Sequence, residues 1–208
     1  MPTFFGWAAI AALCFYLLAF AVGSWRLMTM GQQVWLFRRA RGWDRVAAMA
    51  FRLGFALALL GPLLWLAVPG LHKADPLWRE TVYPDLDIPG FALAALGTAL
   101  ALIAQSRMGA SWRVGVPQAG DNSATGDLVT TGLFRLSRNP TFLGQSLLLL
   151  GVALAIPSLP GWFGFFLFLI AANLQIRSEE RALMRRHGPH YAAYLQSVPR
   201  WIGLRRPD

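Results

Sequence analysis

Cysteine is almost missing from this chain and charge is scarce. The single cysteine, Cys14, rules out an intrachain disulfide framework. Charged residues make up 14% of the 208 residues against 56% hydrophobic, more apolar content than a soluble domain of that length can bury. No Gly-rich dinucleotide fingerprint follows a strand pattern, and no P-loop is present. Three histidines, His72, His187 and His190, with one cysteine make no metal constellation, so no metal is expected and the histidines read as surface residues.

What is plentiful is long apolar runs. A membrane helix needs roughly 20 mostly apolar residues, and about five such runs are present, near 4–22, 46–68, 88–104, 141–156 and 162–176. The last two are separated only by Pro157-Ser158-Leu159-Pro160, which predicts a tight helical hairpin. The first run has no basic flank and no persuasive cleavage site, which favours an anchor over a signal peptide. The fold class predicted is therefore all-α and integral to a membrane, with cytoplasmic helices after the hairpin.

Basic residues alternate between loops. Arg26, Arg38, Arg39, Arg41 and Arg45 follow the first run, whereas the loop after the second is acidic, with Asp75, Glu80, Asp85 and Asp87 against Lys73 and Arg79. Arg107, Arg113, Arg135 and Arg138 then outweigh Asp121 and Asp127, and the tail is arginine-rich. Because basic loops stay on the cytoplasmic side, the expected topology in the inner or plasma membrane has the N-terminus outside and the C-terminus in the cytoplasm. The +9 net charge is thereby explained by topology and by anionic membrane lipids, with no nucleic-acid partner required.

The sequence divides at about residue 104. Region 1–104 contains three apolar runs with little polar chemistry and reads as scaffold, with Cys14 as packing. Arg52 is the exception: it either snorkels to the interface or meets a substrate anion. Region 105–208, holding the hairpin 141–176, carries the dense polar residues. Ser137-Arg138-Asn139-Pro140 reads as a helix start, with Asn139 as N-cap and Pro140 at the first position. Free N–H groups beside Arg138 make that end an anion site.

The hairpin then returns the chain to the same face at Arg177-Ser178-Glu179-Glu180. Adjacent carboxylates suit a cationic ligand, although spacing alone favours pairing with Arg181, Arg185 and Arg186 on a surface helix. That helix is predicted to end at Arg185-Arg186-His187 before Gly188 and Pro189. Tyr191 and Tyr194 share a face of the next helix, a pattern more typical of interfacial anchors than of ligand contacts.

The run Asp127-Leu128-Val129 through Gly132, Ser137-Arg138-Asn139-Pro140-Thr141-Phe142-Leu143-Gly144, followed after an apolar hairpin by Glu179-Glu180, Leu183, Gly188, Tyr191 and Tyr194, resembles the isoprenylcysteine carboxyl methyltransferase family and its phospholipid methyltransferase relatives. Gly109-Ala110-Ser111-Trp112-Arg113 is similar to a further family segment. The resemblance implies S-adenosylmethionine as cofactor and a lipophilic or small-molecule methyl acceptor. It places Leu128, Val129, Arg138, Asn139, Pro140, Phe142, Gly144, Glu179, Glu180 and Tyr191 around the cofactor, with Arg138, Glu180 and Arg113 as catalytic candidates. Two positions depart from the family pattern, Asn139 for the usual His and Phe142 for the usual Tyr, so a proton shuttle and a phenol are missing.

Transfer to an anionic acceptor needs alignment more than a base, and Arg113, Arg138, Arg177 and Arg200 are the arginines that stand ready to hold one. The function expected is an S-adenosylmethionine-dependent methyltransferase at the cytoplasmic membrane face, acting on a carboxylate, thiol or other nucleophile of a small or lipid-like substrate. The alternatives are an NADPH-dependent membrane reductase of the sterol reductase type, or a relative that has lost catalysis.

Overall fold

The structure, a computed structural model, describes residues 3–31, 34, 42–78, 85–109, 112 and 128–203. Seven α-helices lie within them: α1 Phe4–Thr29, α2 Trp43–Ala67, α3 Pro69–Ala74, α4 Asp87–Met108, α5 Pro140–Ala155, α6 Leu159–His187 and α7 Pro189–Ser197. A 3₁₀ turn, Gly132–Arg135, precedes α5, and no strand occurs among the described residues. Arg113, together with Arg38, Arg39, Arg41, Arg79, Glu80, Ala110, Ser111, Asp121, Asp127, Arg205 and Arg206, lies outside the described residues.

Among the described residues, four helices are long and apolar enough to cross a membrane: α1, Trp43–Trp65 of α2, α4 and α6. The chain is an all-α integral membrane protein. The fifth apolar run forms α5, whose 16 residues extend about 24 Å at 1.5 Å per residue, less than a ~30 Å hydrocarbon core. Most of α5 is buried between its neighbours, so it has little need to meet lipid. Helix α6 continues well past the apolar run that ends near 176, so Glu179 and Glu180 ride on the same rigid helix as the span.

Small residues decide which helices touch. A Cβ added to Gly144 would lie 2.5 Å from Ala101 N, and one added to Gly90 would lie 2.6 Å from Ala155 N, so the α4 and α5 backbones run antiparallel in direct contact. Gly54 of α2 and Gly164 of α6 meet in the same way, with Gly164 O 2.9 Å from the Gly54 Cβ position. In lipid, where burying apolar side chains brings little gain, such close backbone approach supplies much of the attraction between helices. Helix α1 runs parallel to α4, with the Thr98 hydroxyl donating to Ala12 O and Phe5 packing on Phe91. Cys14, expected in packing, instead points outward from α1 and is exposed. Arg52 likewise lies on the exposed outer face of α2.

Alternating directions place the C-terminal ends of α1, α4 and α6 beside the N-terminal ends of α2 and α5. The opposite end is closed by Asp75, which is 3% exposed and so is a buried group and not one more loop charge. Its Oδ2 accepts from Trp65 Nε1 and from Leu159 N at the start of α6, both at 2.8 Å, and its Oδ1 accepts from Leu77 N at 2.9 Å. A buried carboxylate shared by three N–H donors, one on a helix N-terminus, ties α2, α3 and α6 together. Asp75→Ala is expected to lower the stability of the detergent-solubilised protein by about 2–3 kcal/mol, read from its denaturant midpoint, whereas Asp75→Asn, which keeps an acceptor oxygen, loses less.

Candidate active site

The turn ahead of α5 takes its shape from the C-terminal segment. Asn139 does occupy the N-cap position and Pro140 the first turn, but the Asn139 side chain makes no cap bond. Its Nδ2 donates instead to Arg200 O at 3.0 Å. Arg138 N donates to Pro199 O at 3.0 Å, and Ser137 Oγ reaches Arg200 O at 3.3 Å. Tyr194 Oη donates to Phe134 O at 2.6 Å, clasping the 3₁₀ turn. Burial pushes the Tyr194 hydroxyl up to about 12, with Arg138 pulling the other way, so it stays a neutral donor at ordinary pH.

Arg138 is held from three sides. Its Nη1 donates to Leu195 O at 2.8 Å, and its Nη2 lies 3.0 Å from Glu180 Oε1, with both side chains largely buried. Arg200 grips both Glu180 oxygens, Nη2 donating to Oε2 and Nε to Oε1 at 3.1 Å, and this hydrogen bonding holds its guanidinium above the ordinary range. The twin glutamates therefore divide. Glu180 joins two arginines, not the Arg181, Arg185 and Arg186 that spacing favoured, while Arg181 donates to Arg177 O and Ser178. Glu179 accepts from Gln175 Nε2 at 3.0 Å, and among the described residues no cation pairs with it.

A cleft of about 70 Å³, open at its mouth, lies at this end of the bundle, smaller than the roughly 300–1,000 Å³ of most small-molecule sites. Arg138, Asn139, Pro140, Thr141, Phe142 and Gln145 line it from the α5 side, Gln175 and Glu179 from α6, and Phe134 from the 3₁₀ turn. Phe20 of α1, Phe51 of α2, Met108 of α4 and Trp112 complete the wall. Five of the residues singled out in the sequence, Arg138, Asn139, Pro140, Phe142 and Glu179, thus share one cavity.

The others lie elsewhere. Glu180 stands behind the wall as the partner of Arg138. Gly144 lies in the α4–α5 contact and not on the cleft. Tyr191 is 2% exposed and packs with Tyr194, Val198 and Leu128, so the two tyrosines are core and not interfacial anchors. Burial, then Glu180, holds its hydroxyl well above the usual range. Val129 is half-buried and does not line the cleft; Arg177 is exposed. Sequence reasoning passed over Gln145 and Gln175, which stand out as polar residues inside apolar runs, and over Phe20 and Phe51, which carry no signal among so many apolar neighbours.

No curated protein matches the chain. The sequence model of the phospholipid methyltransferase family does, over residues 87–190, from the start of α4 to the first turn of α7. That stretch spans half of the 208 residues and holds most of the cleft's polar wall, so this integral membrane protein belongs to the phospholipid methyltransferase family.

Proposed function

We propose that the protein is an S-adenosylmethionine-dependent methyltransferase whose site opens at the cytoplasmic face and whose acceptor is a small or lipid-like nucleophile. The observation that carries this reading is the meeting of Arg138 with Glu180 of α6, 3.0 Å apart, at the edge of a cleft that Glu179 lines together with aromatic side chains. S-adenosylmethionine, when bound, supplies an electrophilic methyl group on a sulfonium. The residues present suit it: Glu179 offers a carboxylate to an ammonium, Arg138 retains an unpartnered Nε toward a carboxylate, and Phe20, Phe51 and Phe142 provide apolar faces.

In this reading the division proposed is of labour: residues 105–208 supply the charges, and residues 1–104 frame the pocket. Arg138 and Glu180 fix the turn in place, and Phe134, Met108 and Trp112 give the cleft apolar walls. Asn139, tied to Arg200 O, acts as a clasp where the family pattern has a titratable group, so the reaction is expected to run without a proton shuttle at that position. Arg113 stays a candidate for contact with the acceptor. Arg26, Arg45, Arg107, Arg135 and Arg177 all flank the cleft end of the bundle, which supports a cytoplasmic orientation.

Titrating the purified protein with S-adenosylhomocysteine, followed by tryptophan fluorescence, is expected to give saturable binding. Glu179→Gln is expected to weaken it by about tenfold, the loss of one charge-assisted hydrogen bond. No binding up to millimolar ligand would reject the assignment.

A further inference from the structure

Helix α1 lies wholly outside the matched stretch, yet it reaches into the site. Tyr16 is 1% exposed, its ring stacked on Phe55 at 5.9 Å and tilted against Phe20 at 6.0 Å, so its hydroxyl is fixed in place. That hydroxyl accepts from Gln145 Nε2 at 2.5 Å. Gln145 is 2% exposed and lines the cleft. With Nε2 turned to Tyr16, its other amide atom, Oε1, is left without a partner among the described residues. Gln175 Oε1 and Thr141 Oγ1, on two more residues of the cleft wall, are in the same condition.

Buried acceptors without donors are costly and rare, and a ligand that brings donors removes the cost. Here two amide oxygens and one hydroxyl oxygen belong to residues that line the same cleft as Glu179. The two amide oxygens only accept, so they attract N–H, O–H or S–H groups and disfavour an anion placed against them.

The geometry points to Gln145 as a specificity-determining residue and to Tyr16 as the positioning residue that sets its amide. The methyl acceptor enters with a neutral head that donates hydrogen bonds, and carboxylates are excluded. The role given to that ligand rests on the methyltransferase reading; its hydrogen-bonding character does not. A carboxylate acceptor, one of those expected from the sequence, finds no free arginine here, because Glu180 engages Arg138 and Arg200 and the one nitrogen left on Arg138, Nε, is given to the carboxylate of the cofactor in that reading.

The test uses the full chain in nanodiscs with two chain-matched probes, tritiated 1-dodecanol and dodecanoate, after subtracting partition into empty nanodiscs. Wild type is expected to hold dodecanol at least about tenfold more tightly. Gln145→Met is expected to bring the probes within about threefold of one another, and Tyr16→Phe, which keeps the ring, to reduce the preference by a similar factor. Should Gln145→Met fail to fold, judged by its melting temperature, Tyr16→Phe decides alone. Equal affinity of wild type for the two probes overturns the inference, as does tighter dodecanoate, which would mean that Gln145 presents its NH₂ to the ligand. A preference unchanged in Tyr16→Phe removes the positioning role. Loss of S-adenosylhomocysteine binding with the probe preference intact rejects the methyltransferase reading alone, and the converse rejects this inference alone.

Discussion

Glu180→Ala is expected to lower stability by about 3 kcal/mol and to abolish S-adenosylhomocysteine binding. The carboxylate lies between Arg138 and Arg200, so its removal leaves two guanidinium groups facing one another with no anion between them. Breaking a buried pair costs about 3–5 kcal/mol, and the lower end applies because the Arg200 side chain is 33% exposed. The damage is not confined to charge. Arg138 also donates to Leu195 O, and its backbone N–H to Pro199 O, so a displaced Arg138 releases the segment after α7 from the α5 turn. Glu180→Gln, which retains a carbonyl acceptor, is expected to lose about half as much. Chemical unfolding in mild detergent and fluorescence titration measure the two effects. Full binding by Glu180→Ala would show that the pair has no part in shaping the cleft.

Gly144→Leu is expected to abolish the folded bundle, and Gly144→Ala to cost about 2 kcal/mol. Even a bare Cβ there would lie 2.5 Å from Ala101 N and 2.7 Å from Gly97 O, both backbone atoms that move only if α4 and α5 separate. Size-exclusion profiles and melting temperatures of the variants test this, with Gly70→Ala as the comparison. Gly70 is in α3, has nothing within 4 Å of its Cβ position, and is expected to change stability by less than about 1 kcal/mol, in the stabilising direction. If Gly144→Ala lost ligand binding while melting normally, Gly144 would belong to the cofactor site, as the family resemblance implies, and not to packing alone.

Much of this was legible in one dimension because bilayer physics writes plainly into sequence. Apolar runs of span length, loop arginines, the Pro157–Pro160 turn and the Gly188-Pro189 stop located the helices to within a few residues at most ends, the late end of α1 excepted. The Ser137-Arg138-Asn139-Pro140 turn and the glutamate pair stood out because polar groups at a membrane boundary are few. Partner choice was not legible. Spacing favoured Arg181, Arg185 and Arg186 for the glutamates, but the C-terminal segment folds back to deliver Arg200, and the hairpin delivers Arg138. Asp75 looked like one more loop acid, since only the folded chain brings Trp65 and Leu159 to it.

The sequence by itself determined membrane insertion, the all-helical class, the hairpin and the family, since hydropathy, charge asymmetry and local turn chemistry depend on neighbours along the chain. Only the tertiary structure decided that Phe20, Phe51 and Gln145 share a wall with Glu179, that Tyr16 orients Gln145, and that Gly144 serves a backbone contact. The contact of Tyr16 with Gln145 joins residues 129 apart. Such relations depend on which helix faces approach within a few ångströms, and in a chain where every helix is apolar on most sides, no local pattern records that choice.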